Sequence, residues 1–380
     1  MNVRPYLDYY SKHNISPVIN DLDWDLHMSQ RKALYNRLGV IGGCVKEKNI
    51  LEFGPGNGAN ALYTLSMSPK KYVLVDANPK GLKNCNDNLK RHYPKSNWII
   101  EDSLIEDYQS ENKFDVVICE CLLPQQNNPA EMARHVASFV DSGGIFVATC
   151  HDMVSTLSET LRSLPGWLLV KNDNISFDEK VKKLSYFYHD HLDHLKGMTR
   201  SYDDWVIDNI LHKEFWQDSP LFTIDEAIDA LDKDFIVHAT SPVFLQDWSW
   251  YKSTKNVKNH FNSSMKRSYL ENVHNFIDWR TNSSPRTISE NQELYELCSK
   301  IRESVGESAK DDDAILLLIE RCHELVSCLP NDYLSTKMAL ESYIIGIKHY
   351  HNTGEINSKL FKDFGAWWGR GLQYISFIKN

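Results

Sequence analysis

The chain lacks any excess of positive charge: 42 lysines and arginines stand against 51 aspartates and glutamates, a formal net charge of −9 over 380 residues. Proteins that grip bare phosphate backbone usually carry a basic stripe, so a nucleic-acid partner is disfavoured. Long apolar runs are also missing. The longest is the short Ala314–Ile319 stretch, far below the ~20 residues a bilayer requires, and no membrane association is expected. Disulfide-like spacing is absent as well. The 8 cysteines are scattered, with Cys119 and Cys121 one residue apart, a usage that suits reduced thiols and a cytoplasmic protein. The opening MNVRPYLDYYSKHN has no apolar core of the kind a secretion signal needs. What remains is ordinary globular material. With 42% apolar and 24% charged residues, the chain can fill one large domain or two.

The texture of the sequence then changes along its length. Leu26, Leu34, Leu38 and Ile41 recur at near-helical spacing up to Gly42-Gly43, which predicts a helical lead-in over residues 1–45. From Asn49 onward, short β-rich runs alternate with longer segments: Ile50–Phe53, Tyr72–Val75, Trp98–Ile100, Phe114–Cys119 and Ile145–Thr149. Their spacing is that of βα units, so a parallel sheet with crossover helices follows, with Gly143-Gly144 as a turn before the fifth run. A capping box at Thr223 and Glu226 leads into a strand-like Asp234–Thr240. Residues 281–290 and 303–313 read as polar loops, 314–328 and 333–350 as helices, and Leu372–Ile378 as a strand. The expected fold is therefore α/β: a Rossmann-like seven-stranded mixed sheet with flanking helices. Its sheet domain takes in 46–245, and a mainly helical accessory region covers 246–368 as an insertion at the mouth of the site. A final strand lies in 369–380.

One loop carries the chemistry. Glu52-Phe53-Gly54-Pro55-Gly56-Asn57-Gly58 follows a strand and precedes a helical segment, where glycines let the backbone turn tightly and approach a ligand. By spacing alone, Gly54, Gly56 and Ala59 also fit a dinucleotide loop. Glu52 argues otherwise. A carboxylate there would repel a pyrophosphate, whereas it suits the ammonium and nearby sulfonium of S-adenosylmethionine (SAM). Asp76, followed by Ala77, ends the second strand and can accept both hydroxyls of a ribose. Asp102, followed by Ser103, ends the third, where a carboxylate can accept the amino group of an adenine. Across about residues 45–150, this arrangement resembles the class I SAM-dependent methyltransferases, whose motif is E/D-x-G-x-G-x-G with acids after strands two and three. The resemblance implies SAM as cofactor, held by Glu52, Gly54, Gly56, Gly58, Asp76, Ala77, Asp102 and Ser103, across the strand carboxyl ends.

The resemblance also implies that the segment after strand four faces the transferred methyl. Here that segment reads Cys119-Glu120-Cys121-Leu122-Leu123-Pro124. It lacks the D/N-P-P-Y/F signature of enzymes that methylate adenine or glutamine nitrogens, which disfavours those substrates. Glu120 is a catalytic candidate, to contact the cofactor or orient a substrate hydroxyl, or else a turn carboxylate. His151, with Asp152 after the fifth strand, is the second catalytic candidate, as a general base. Cys119 and Cys121 fit buried strand positions better than a thiol role.

Other clusters compete for attention. His189-Asp190-His191-Leu192-Asp193-His194 has the spacing of a zinc hydrolase site, but it arrives outside that fold's context, and no metal is expected. Tyr9, Tyr10, His27 and Arg31 in the lead-in are packing, lid or substrate residues. Trp248, Trp250, Tyr251, Trp367 and Trp368 are core anchors or stacking surfaces, and Arg370 is an anion site or a surface arginine. The expected activity is methyl transfer to oxygen or nitrogen of a small or medium-sized, sugar-like acceptor by a protein that can form a homo-oligomer. The alternatives are a non-catalytic SAM-binding module, a zinc hydrolase at His189–His194 and an NAD-dependent dehydrogenase.

Overall fold

The β-branched runs between glycine turns assemble as a parallel sheet. A computed structural model describes residues 5–16, 23–171, 174–212, 220–245, 250, 252 and 260–380. It divides into two units: Met1–His151 with Ser219–Tyr269 and Leu372–Asn380, and Asp152–Asp218 with Leu270–Gly371. Residues 152–218 thus cluster with the later helices, although sequence patterning leaves them with the sheet.

The first unit opens with helices α1 (Pro5–His13), α2 (Trp24–Arg37) and α3 (Gly42–Val45). Strands β1 (Asn49–Phe53), β2 (Lys71–Asp76), β3 (Trp98–Asp102), β4 (Phe114–Cys119) and β5 (Val140–Cys150) follow, with helices α4 (Ala59–Ser66), α5 (Pro79–His92) and α6 (Pro129–Ala137) between them. β6 (Phe235–Ser241) and β7 (Gln373–Lys379) complete a 7-stranded sheet in the order β3-β2-β1-β4-β5-β7-β6. The first five strands run parallel, and β7 lies antiparallel between β5 and β6. The sheet is thus the mixed one its patterning predicts. Because β1 pairs with β2 on one side and β4 on the other, the strand order reverses beside β1, and ligands in such sheets bind at that reversal.

Local chemistry explains the turns at that edge. The Asn78 side chain accepts from the N–H groups of Lys80 at 3.0 Å and Gly81 at 3.3 Å, with Pro79 opening α5. Asn128 caps α6 in the same way, accepting from Glu131 at 3.2 Å. Beneath lies a core of Ile50, Leu74, Val116, Ile118 and Val147, covered by Leu62, Leu89 and Tyr35. Gly143-Gly144 departs from expectation. Both glycines lie inside β5, in an irregularity where the register passes from Phe114↔Val140 to Val116↔Ile145. No helix among the described residues is long and apolar enough to cross a membrane.

The second unit is helical. Its longer helices are Leu157–Leu169, Phe177–Leu192, Ile288–Ser308, Ile315–Cys328 and Leu334–Thr353. Ser176 with Glu179 and Thr287 with Glu290 form reciprocal capping boxes at two of their starts. Residues 303–308 belong to a helix rather than to the expected loop. Its buried positions Leu294, Cys298, Ile301 and Val305 keep a helical period through the polar stretch.

Arg162 organises this unit. Its fully buried guanidinium donates to the carbonyls of Phe364 at 3.2 Å, Gly365 at 3.4 Å and Trp367 at 2.8 Å, and it lies 3.7 Å from the Trp368 ring centroid. Trp367 is also buried and donates to the Ile277 carbonyl at 2.7 Å, so both tryptophans are core anchors rather than stacking surfaces. Arg370 donates to the carbonyls of Asn275, Asp278, Thr281 and Trp279. Its donors are used within the protein, which argues against an anion site. Arg162→Met keeps the aliphatic stem but removes the guanidinium donor from the buried Gly365 and Trp367 carbonyls, so a loss of about 3 kcal/mol is expected in urea unfolding, and a loss below about 1 kcal/mol would contradict this account.

Candidate active site

Backbone conformation explains the glycine loop. Gly54, Gly56 and Gly58 have φ of +68°, +55° and +82°. A Cβ on Gly54 would lie 2.5 Å from Leu122 Cδ1, and one on Gly58 would lie 2.8 Å from Cys85 Sγ. Those two positions require glycine on both counts. The Gly56 N–H donates to Asp76 Oδ2 at 3.2 Å, and the Asn78 N–H donates to Oδ1 at 2.9 Å. Asp76 is therefore pinned between the first glycine turn and the α5 cap. Parallel pairing sets Asp76 directly beside Asp102, and the Ser103 N–H donates to the Asp76 carbonyl at 3.1 Å. The acids expected at successive strand ends share one edge, with Ala77 and Ser103 beside them.

Glu52 sits deeper, only 3% exposed, and accepts a hydrogen bond from the Tyr72 hydroxyl. Burial pushes its carboxyl up to about 8, helped by Glu120 and Asp76 and opposed by Arg31. Asp76 is also raised, mainly by burial, while the N–H groups of Asn78, Gly56 and Ala77 hold it down. A buried acid of this kind is costly to ionise without a cation. Arg31 is already paired elsewhere. Donor chemistry at this edge thus fits a ligand that brings positive charge to Glu52 and hydroxyl or amino donors to Asp76 and Asp102, as SAM would.

Arg31 is committed to Glu120. Its Nη1 and Nη2 donate to Oε2 and Oε1 at 2.9 and 2.6 Å, and the Tyr35 hydroxyl and Asn60 Nδ2 reach the same carboxylate at 3.4 and 3.3 Å. Four donors occupy the two oxygens, an arrangement that holds the carboxylate in one orientation. His151 follows directly after β5 and donates its backbone N–H to the Phe222 carbonyl at 2.9 Å. Burial brings its imidazole down to about 4, so at neutral pH it is uncharged and only weakly basic. Cys119 is buried, while Cys121 is exposed with φ +60°.

The histidine cluster does not assemble. It lies at the end of the Phe177–Leu192 helix, where a two-residue separation turns side chains to opposite faces. His189 is exposed beside Asp190 and Asp193, whereas His191 is buried and accepts from Arg162 Nε at 3.3 Å. Among the described residues, no group of three or more His, Cys, Asp or Glu side chains is placed to hold a metal. Trp248 and Tyr251 lie outside the described residues, and Trp250 is exposed. Sequence reasoning missed Tyr72, Asn60 and Leu122. Only Tyr72 gave a signal, as a phenol within an otherwise aliphatic strand.

Residues 45–298, well over half of the chain, match the family described as a methyltransferase domain. Malonyl-[acyl-carrier protein] O-methyltransferase 2 of Ilyobacter polytropus is 28% identical over 169 residues, covering 43% of this chain and 64% of that protein, so the chain spans less than two thirds of this relative's length. Two similar solved structures are PKMT2 from Rickettsia typhi in complex with AdoHcy, with 13% identity, coverage of 62% of this chain and 49% of that one and a TM-score of 0.41, and the N-methyltransferase NodS from Bradyrhizobium japonicum in complex with S-adenosyl-L-homocysteine, with 18% identity, coverage of 40% and 74% and a TM-score of 0.32. Given the family match across the glycine loop and the strand-end acids, the chain belongs to the class I SAM-dependent methyltransferases, enzymes whose cofactor is SAM.

Proposed function

We propose that this chain transfers the methyl group of SAM to an oxygen or nitrogen of a small or medium-sized acceptor, releasing S-adenosylhomocysteine. The observation that carries the reading is the convergence of Glu52, Asp76 and Asp102 on one sheet edge around a left-handed glycine loop. SAM supplies an electrophilic methyl when bound. Glu52 holds its ammonium, Asp76 the ribose hydroxyls and Asp102 the adenine amino group, with Ala77 and Ser103 beside them. Gly54, Gly56 and Gly58 let the backbone approach. Transfer is an in-line displacement, so most of the protein's contribution is positioning. The neutral His151 imidazole orients the acceptor's O–H or N–H, whose proton is released to solvent as the methyl is transferred.

An acidic lining disfavours a carboxylate or phosphate acceptor and favours a neutral hydroxyl or an amine, such as that of a sugar-like molecule. A cytoplasmic setting suits the eight free cysteines. Calorimetry with SAM, followed by transfer from methyl-labelled SAM to an acceptor panel, tests the reading; absence of SAM binding by the wild-type chain would sink it. Asp76→Asn is expected to weaken SAM binding by about tenfold, because a charge-assisted hydrogen-bond acceptor becomes a neutral one. His151→Gln should lower the turnover of a responsive acceptor without changing SAM affinity, and an unchanged turnover would remove His151 from the site.

Glu52 generates a pH prediction with a definite sign. Folded, it keeps its proton to about 8; unfolded, it loses it near 4.5. The empty protein therefore loses stability as pH rises between those values, since the unfolded state then binds fewer protons. A cation favours the ionised form, so SAM binding should tighten from pH 6 towards 8 and release a proton. Glu52→Gln should melt above the wild type at pH 8 without ligand, bind SAM more weakly and lose that pH dependence. Calorimetry in two buffers of different ionisation enthalpy reads the proton, and flat profiles in the wild type would refute the assignment.

A further inference from the structure

α2 is docked in an unusual way for a surface helix. Its buried residues are His27, Arg31 and Tyr35, four apart on one face, while Met28 and Leu34 are only partly buried. An amphipathic helix normally buries an apolar stripe. Here the deepest contacts are polar, and they converge on the cofactor edge. His27 Nε2 lies 3.3 Å from the Ala59 carbonyl, one residue past Gly58. One turn later, the Arg31 fork clasps Glu120, with both side chains 7% exposed. Another turn on, the Tyr35 hydroxyl reaches the same carboxylate at 3.4 Å, and the Arg31 guanidinium lies 4.6 Å from the Tyr35 ring centroid.

Glu120 is the hub of this contact. It receives Asn60 from the first turn of α4, so it ties α2 to the helix that leaves the glycine loop. It also begins a three-residue turn with little freedom. Cys121 is left-handed and donates its N–H to Thr149 Oγ1 at 2.6 Å, and Leu122 fills the space a side chain on Gly54 would need. The turn that presses on Gly54 and the helix that starts after Gly58 are therefore both referenced to one carboxylate, and that carboxylate is oriented by Arg31.

Stability alone does not explain such a pair. Taking both charges out of water offsets most of their attraction, and well-packed apolar residues often serve as well or better. We infer that Arg31 is a positioning residue for the cofactor site: through Glu120 it sets the glycine loop and the post-β4 turn against each other in the geometry that accepts SAM. Glu120 belongs to this arrangement as its hub, a different role from the catalytic one its place in the sequence suggests. The inference rests on the reading that this edge binds SAM.

The test needs no knowledge of the acceptor. SAM affinity by calorimetry and melting temperature are measured for the full chain, for Arg31→Met/Glu120→Leu, which replaces the ion pair by an apolar one, and for Arg31→Lys, which keeps the charge but loses the fork. The double variant is expected to melt within a few degrees of the wild type yet bind SAM about tenfold more weakly, the loss seen when a supporting contact around a binding site is removed. The lysine variant should fall between the two. Wild-type SAM affinity in the double variant would overturn the inference while leaving the methyltransferase reading intact. If the double variant does not fold, the lysine variant decides: wild-type affinity there overturns the proposal, and weakened affinity at an unchanged melting temperature supports it. A wild-type chain that binds no SAM would remove the functional reading itself, and this inference with it.

Discussion

The backbone ladder of β7 is the interaction on which the sheet unit depends. This strand pairs with β5 from Ile145↔Ile378 to Cys150↔Gln373 and with β6 from Phe235↔Lys379 to Ser241↔Tyr374. Among the described residues, β6 reaches the sheet only through it. Ser376 adds a tie to the lead-in, its hydroxyl donating to the Leu38 carbonyl at 2.9 Å. Segments near residues 38, 145–150 and 235–241 are thus held in register by one seven-residue strand. Such non-local pairing is slow to form, because loop closure precedes the contacts that compensate for it.

On that frame the electrostatics are arranged in two layers. Asp76 and Asp102 lie at the strand ends, where the neighbouring N–H groups of Gly56, Ala77 and Asn78 partly support Asp76. Glu52 and Glu120 lie deeper, and each solves the problem of a buried carboxylate differently. Glu120 has a full set of donors and a guanidinium partner. Glu52 has a tyrosine hydroxyl and a strong preference for keeping its proton. The first arrangement suits a structural tie. The second suits a site whose counter-charge arrives with a ligand.

Much of the sheet was legible because strand signals are local. The alternation of β-branched runs, the glycine loop and the strand-end acids needed only neighbouring residues. The Arg31–Glu120 pair was not legible. The two residues are 89 positions apart, and each attracted notice for an unrelated reason. The histidine cluster shows the opposite effect of distance. Its spacing resembles a ligand set only while the backbone is extended, and a helix sends His189 to solvent and His191 to Arg162. Gly143-Gly144 looked like a strand boundary but is an irregularity within β5. The polar stretch 303–308 hid a helix because its buried positions carry the period alone. Trp367, Trp368 and Arg370 showed their chemistry in sequence but not their surroundings, and those surroundings make them structural.

A lining of acids also treats the two ends of a methyl transfer unequally. SAM arrives with a sulfonium as well as an ammonium, whereas its demethylated counterpart is a thioether without that charge. Near Glu52 and Asp76, in a setting less polar than water, that difference is felt as attraction lost. On the proposed function, the site would relax its grip at the moment of reaction, with no movement of the protein required. The ammonium and ribose assigned to Glu52 and Asp76 are common to both forms of the cofactor, so the sulfonium charge is the one electrostatic difference this edge could sense between them.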